Sequence, residues 1–302
     1  MQNRAGPQRR FQTRGVRTIV IVSVASGKGG TGKTTVAVNL ALSIPEARLL
    51  DCDVEEPNAH LFIRPEWKGR EIVSIPVPQV NAALCRLCGK CQEVCAFNAI
   101  AVVGEKVLVF PELCHGCGAC SYLCPQKAIQ ETGREAGVVE TGHRDGQAFV
   151  RGTMALGQTL APPVIRSVKT HIDPGGINII DAPPGTSCPV IEAMKGSDFC
   201  LLVTEPTPFG LHDLKLAVAT VKKLAIPAGV IINRCDLGDD QTEIFCRKEE
   251  VPVLMKIPFQ REIAEAYSSG IPLIEKFGEY RERFRALWAQ IERIVREKAA
   301  PA

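Results

Sequence analysis

The sequence predicts an α/β protein: a parallel sheet with helices on both faces, interrupted by a small cysteine-rich module. Three observations lead there. Short Ile/Val-rich segments alternate with helical patterns along most of the chain, the signature of a covered parallel sheet. One apolar segment, Thr18–Ala25, runs through a glycine loop at 27–34 directly into a helical pattern. Eight of the 13 cysteines crowd into residues 85–124, where large aliphatic residues thin out. A chain of 302 residues with 45% hydrophobic content has room for one large α/β domain and one small module.

The elements follow in order. The first strand is Thr18–Ala25, and a helix over Lys33–Ser43 is stopped by Pro45. Arg48–Asp53 reads as a second strand ending in acids, and Ile72–Val77 as a third. Residues 79–132 form the cysteine module. Glycine-rich turns around 133–157 lead back to strands at Ile177–Asp181, Phe199–Thr204, Gly229–Asn233 and Pro252–Ile257. Residues 275–298 read as one helix with Phe277, Phe284, Leu287, Trp288, Ile291, Ile294 and Val295 on one stripe. A broad stripe among mixed charges fits docking on the sheet better than lying on a membrane. The division is therefore a basic flexible tail at 1–17, a nucleotide-binding domain at 18–78 and 133–302, and an insert at 79–132.

Composition narrows the partners. The formal net charge of +3 gives no reason to expect nucleic acid. No apolar run reaches the roughly 18 residues of a membrane span. Residues 1–17 carry five arginines and no acid, but no apolar stretch or cleavage site follows, so a solvated tail is expected rather than an export signal. Clustered cysteines at metal-ligand spacing point to a reducing cytoplasm.

The loop Gly27-Lys28-Gly29-Gly30-Thr31-Gly32-Lys33-Thr34, with Thr35 behind it, is a phosphate cradle. Its glycines let backbone N–H groups approach phosphates at a helix N-terminus. Lys33 is placed to reach the β- and γ-phosphates and Thr34 to ligate Mg²⁺, so ATP and Mg²⁺ are the expected small molecules. Asp51 and Asp53 close one strand and Asp181 closes another, where a carboxylate can hold Mg²⁺ through water. Gly185, just beyond, lets the following loop move when the γ-phosphate leaves.

Lys28 is a lysine that an ordinary phosphate loop does not need. With it, residues 28–34 resemble the deviant Walker A sequence KGGxGK[ST] of the MinD/ParA/Mrp family. Residues 51–58 resemble that family's switch I, D-x-D-x4-N, and residues 179–186 resemble its Walker B and switch II segment. The resemblance covers about 18–78 and 133–275. It implies a MinD-like P-loop ATPase forming an ATP-dependent sandwich homodimer, with Lys28 contacting the partner's nucleotide. It also implies a catalytic set of Lys28, Lys33 and Asp53, with Asp53 orienting water. Magnesium falls to Thr34, Asp51 and Asp181, and adenine to Asn233, whose amide can both donate and accept.

The cysteines form two quartets, Cys85-x2-Cys88-x2-Cys91-x3-Cys95 and Cys114-x2-Cys117-x2-Cys120-x3-Cys124-Pro125. Residues 85–100 and 114–129 repeat at an offset of 29. This is the bacterial two-cluster ferredoxin pattern, in which the fourth cysteine of each run ligates the other cluster. One [4Fe–4S] cluster is assigned to Cys85, Cys88, Cys91 and Cys124, the other to Cys95, Cys114, Cys117 and Cys120. Zinc on four thiolates is the rival reading. Ala96 replaces the pattern's proline and predicts loosened geometry there. His115 is expected beside the ligands, not on the metal. So small an α+β insert is expected to need its metal to fold.

Five cysteines remain: Cys52, Cys188, Cys200, Cys235 and Cys246. Cys200 reads as core. Cys188 lies near where the nitrogenase iron protein has a cluster-ligating cysteine, but no further cysteine between the insert and Asp181 completes a shared site, so a loop thiol is expected. The combined reading is an ATPase that couples dimer rearrangement to electron transfer through two clusters toward a redox partner protein. The alternatives are a cluster carrier or assembly ATPase of the Mrp kind, and a positioning ATPase with structural clusters.

Overall fold

The computed structural model describes residues 20–299. The basic tail and the first residues of the expected first strand lie outside the described residues. The chain opens with β1 (Val20–Ser26), buried throughout, then the glycine loop, α1 (Lys33–Ser43), β2 (Ala47–Asp51) and α2 (His60–Ile63). A long β3 (Glu66–Val80) leads into a small lobe made of α3 (Lys90–Val94), β4 (Ile100–Val103), β5 (Lys106–Val109) and α4 (Ala119–Tyr122). The chain returns through β6 (Ile129–Arg144) and β7 (Gln147–Met154). Then follow α5 (Pro162–Lys169), β8 (Ile177–Pro184), α6 (Cys188–Met194), β9 (Phe199–Thr204) and α7 (Pro208–Lys223). The last elements are β10 (Ala228–Asn233), α8 (Gln241–Lys248), β11 (Val253–Ile257), α9 (Arg261–Ser268), α10 (Leu273–Lys276) and α11 (Gly278–Ala299).

Nine strands form one sheet in the order β11-β10-β9-β1-β8-β2-β7-β6-β3. From β11 to β7 every pairing is parallel. Neighbouring strand residues point to opposite faces. Leu50, Ile180 and Leu202 pack under α5, α6 and α7, while Leu49, Ile179 and Leu201 pack under α1 and α11. The C-terminal stripe is thus spent on the core: Phe284, Leu287 and Ile291 are buried.

Three expectations needed correction. The sheet is not parallel throughout: residues 129–154 are a β6–β7 hairpin, and β3 and β6 pair antiparallel. The cause is Asp145-Gly146, both left-handed at φ 49° and 83°, the two-residue turn that matches strand twist. The expected third strand is nine residues longer than Ile72–Val77, because β6 gives its backbone a partner along its whole length. Finally, the C-terminal helix is interrupted at Phe277, which is extended (φ −130°, ψ 104°) between α10 and α11.

The register of β3 sets the place of the cysteine lobe. Val73 pairs with Gly137, and Gly137 pairs with Met154 at the end of β7. Because β3 runs parallel to β7, its last seven residues rise roughly 23 Å beyond that level. The lobe therefore projects from the same sheet edge that carries the glycine loop.

Candidate functional site

The glycine loop links β1 to α1, and two glycines are there for space. A Cβ on Gly27 would lie 2.4 Å from the backbone oxygen of Asp213 in α7. Gly32 has φ +91°, and a Cβ on it would lie 2.5 Å from Asn233 Nδ2. That amide donates to Thr31 O at 2.8 Å, so Asn233 fastens the loop from the end of β10. Lys33 and Thr34, in the first turn of α1, are both buried.

Behind the loop stands a small group of buried charges. Lys33 Nζ lies 3.0 Å from Asp181 Oδ1 and 3.4 Å from Asp53 Oδ2. Asp51, fully buried, accepts from the backbone N–H of Asp53 at 3.2 Å and of Ala59 at 3.1 Å, which shapes the loop between them. Burial and the neighbouring Asp181 push the Asp51 carboxyl well above its usual range. Burial also raises Asp53, although Lys33 works against it. For Lys33 burial favours the neutral amine, but Asp181, Asp53 and Asp51 outweigh it and hold the pKa above the usual lysine value.

The donor set fits a divalent cation and a phosphate chain. One lysine faces three carboxylates. Asp181 Oδ2, Thr31 Oγ1 and Asn58 Oδ1 are buried without a hydrogen-bond partner. Buried acceptors and hydroxyls left unpaired are costly and call for a ligand or water. Of the three, Asn58 borders a cavity of about 380 Å³ that runs from Lys33 and Asp53 to Asn233 and Phe259. Magnesium would be held by Thr34, Asp181 and, through water, Asp51; phosphates would lie on the loop N–H groups and Lys33. Sequence reasoning missed the far wall, Phe259, Gln260 and Tyr267. It also missed Glu205, which lies 3.5 Å from Lys28 Nζ and 2.6 Å from Arg234 Nη1. Glu205, Phe259 and Gln260 follow strand ends and Tyr267 lies in α9, positions that carry only a weak signal.

The lobe brings each cysteine quartet together. One cavity is lined by Cys95, Cys114, Cys117 and Cys120, the other by Cys85, Cys88, Cys91 and Cys124. Each of these cavities is small, about 20 Å³, and partly open to solvent. Among the described residues no three His, Cys, Asp or Glu side chains converge on one point as a single ion requires. Backbone N–H groups already point at sulfur: Ala99 N at Cys95 Sγ (3.2 Å), Ala128 N at Cys124 Sγ (3.3 Å), and Gly116 N at Cys114 Sγ (3.4 Å). Such contacts fix where the sulfur atoms stand.

The repeat is visible in the backbone as well. Left-handed residues recur at the same offset: Leu87 and Gly116, Gly89 and Gly118, Asn98 and Lys127. The expected loosening at Ala96 is absent. Asn98 (φ 52°) and Lys127 (φ 46°) match, and the two N–H···S contacts agree within 0.1 Å. The glycine-like turn sets that geometry, with or without proline. His115 stacks on Phe97 at 3.6 Å between ring centroids and lines the cavity rim. Cys52, Cys200 and Cys246 are buried, while Cys188 is exposed at the start of α6.

Switch-like residues and lobe share one strand end. Met154 N donates to Val54 O at 2.9 Å, and a Cβ on Gly152 would lie 2.7 Å from Val54 Cγ1. The loop that begins at Asp51 thus rests on β7, next to the β6–β3 ribbon that carries the cysteines.

Comparison with known proteins gives a consistent picture. Residues 22–273 match the CobQ/CobB/MinD/ParA nucleotide binding domain. An uncharacterized protein of Methanocaldococcus jannaschii is 32% identical over 83% of this chain and 90% of its own length. The iron-sulfur cluster carrier protein of Pyrococcus abyssi is 24% identical over 84% of this chain and 78% of its own. The septum site-determining protein MinD of Pyrococcus horikoshii, solved with Mg-ADP, superposes with a TM-score of 0.55 at 20% identity, over 94% of this chain and all of that one.

Proposed function

The chain belongs to the CobQ/CobB/MinD/ParA nucleotide-binding family, and from that premise we propose that it is a Mg²⁺-dependent ATPase that carries iron–sulfur clusters. The observation that carries the cluster half is the pairing of cavities and quartets: each cavity is lined by one complete set of four cysteines. The carriage half is supported by relatives named iron-sulfur cluster carrier proteins. The working form is a homodimer.

Hydrolysis follows from the charges. Phosphate oxygens compete with Asp53 and Asp181 for Lys33. As Lys33 moves to the phosphates, Asp53 is released to accept a hydrogen bond from water and orient it in line with the γ-phosphorus. Asp181 is released at the same moment, toward the cation. Magnesium held by Thr34 and Asp181 would neutralise charge on the phosphate oxygens. No covalent intermediate is needed. Val54 moves with Asp53, and its bond to Met154 ties that movement to the ribbon under the lobe.

A second reading is electron transfer through resident clusters. It is favoured by the completeness of each thiol set and by N–H groups already aimed at sulfur, features of a site that keeps its cluster. One experiment separates the two. The protein is loaded with iron and sulfide without oxygen, mixed with an apo-ferredoxin, and followed by circular dichroism with and without MgATP. Cluster appearing on the acceptor faster with MgATP supports carriage. Clusters that stay, with an EPR line shape that responds to MgATP after dithionite reduction, support electron transfer. Iron–sulfur loading that fails altogether overturns both.

A further inference from the structure

Lys28 does not stand free. Its Nζ lies 3.5 Å from Glu205 Oε2, and the other oxygen of that carboxylate accepts from Arg234 Nη1 at 2.6 Å. The three residues come from different parts of the sheet edge, and the register brings them level. Ala25 pairs with Leu202, so Lys28 and Glu205 stand equally far past those partners. Ile232 pairs with Thr204, which puts Arg234 just beyond the same row. Arg234 has φ 51°, a left-handed backbone that a non-glycine residue adopts at a cost. Asn233 Oδ1 accepts from the Arg234 N–H at 3.0 Å and fixes that turn. Glu205 is equally well held: a Cβ on Gly210 would sit 2.2 Å from its backbone oxygen.

The carboxylate is mostly buried, with 10% of its side chain exposed, while Lys28 is one-third exposed. The contacts are unequal. Arg234 makes the short bond and Lys28 the long one. When Lys28 leaves, Glu205 keeps a counter-ion, so no buried charge is stranded and the usual penalty for breaking a buried pair does not arise.

We propose that Glu205 is a positioning residue that holds Lys28 in reserve and hands it to the polyphosphate of a nucleotide, with Arg234 as the standby counter-ion. The inference rests on the ATPase reading above. It makes Lys28 a shared cation, and the strength of the Glu205 contact sets how much nucleotide is needed to claim it.

The two neighbours of that carboxylate give opposite predictions. Glu205→Gln removes the competitor, so Lys28 is claimed more readily. Arg234→Gln leaves the whole carboxylate charge to Lys28, so Lys28 is held harder. Steady-state ATPase and fluorescent ATP-analogue binding are measured on the full chain for wild type, E205Q, R234Q, K28A and both double variants with K28A. E205Q is expected to raise kcat/KM for MgATP about two- to five-fold, and R234Q to lower it by a similar factor. Both effects disappear in the K28A background. A purely structural pair would make both variants worse, and would do so with or without Lys28; either result overturns the inference. Wild-type protein that binds no MgATP overturns the ATPase reading and this inference with it. Wild-type binding with an inert E205Q overturns this inference alone.

Discussion

The nucleotide end and the cysteine lobe are held together in opposite ways. Around the glycine loop, α1 buries nine of its 11 residues, and Lys33, Asp51 and Asp181 sit among packed side chains. In the lobe, α3 and α4 bury none, and Tyr122 and Val103 are 88% and 59% exposed. The first centre draws on a core large enough to sustain buried charges before any ligand arrives. The second has cavities lined by four cysteines each and a thin set of apolar residues such as Ile100 and Ile129, so a bound ligand would add much of its cohesion.

The sharpest way to break this comparison is to remove one group from each centre. Lys33→Ala strips the cation from Asp53 and Asp181. Breaking such a buried pair costs about 3–5 kcal/mol, and ATPase turnover should fall about 10²–10³-fold as a phosphate-stabilising donor is lost. Thermal melting and phosphate release measure the two effects. Cys117→Ser should instead cut bound iron by roughly half, while the melting of the nucleotide domain stays put. A shared loss of stability would show the two centres to be one cooperative unit.

Aromatic truncation gives the next contrast. Phe284→Ala opens a hole between α11 and α1 and should cost about 3–5 kcal/mol in denaturant unfolding. Tyr122→Ala in the lobe should stay within about 0.5 kcal/mol. Equal losses would mean that Tyr122 is covered in solution.

The same contrast explains what could be read from the chain. The glycine loop, the strand-end acids and the cysteine spacing each encode a local geometry, and the structure gathers Lys33, Asp53 and Asp181 and sorts the cysteines into two cavities. The β6–β7 hairpin is masked in the sequence because several other glycines surround Asp145-Gly146 and its strand residues alternate weakly. Glu205 and Arg234 were hidden because their meeting depends on register across β1, β9 and β10, a non-local property that no single motif carries.

Acidity provides a milder test. Burial raises the folded pKa values of Asp51 and Asp53 above the ordinary aspartate value of 3.8. The folded state therefore binds protons that the unfolded state has released, and stability must fall as pH rises from about 4 through the raised values, by up to about 1.4 kcal/mol per pH unit for each excess proton. Lys33, raised above 10.5, contributes stability that is complete below that pH and is lost only above it. Urea unfolding between pH 4 and 8 should show the decline, and Mg²⁺ with nucleotide should flatten it by favouring the ionised acids. A stability that rises over this window would contradict the buried-acid picture.

The smallest effect lies inside the lobe, where its two halves can be compared with each other. Ala96 and Pro125 follow the fourth cysteine of each run, and the turns beyond them share the same left-handed residue and the same N–H···S contact. If the backbone at Ala96 is already the one that Pro125 adopts, Ala96→Pro restricts only the unfolded chain and should stabilise the lobe by about 0.4–1 kcal/mol. Iron release to a chelator, followed by absorbance, would then slow modestly from the cavity that contains Cys95, while the other cavity is unchanged. Faster release would show that the two turns differ in solution and that the repeat stops at Ala96. Slower release would mean that the half lacking proline relies on its cluster for order that the other half has partly built into its chain.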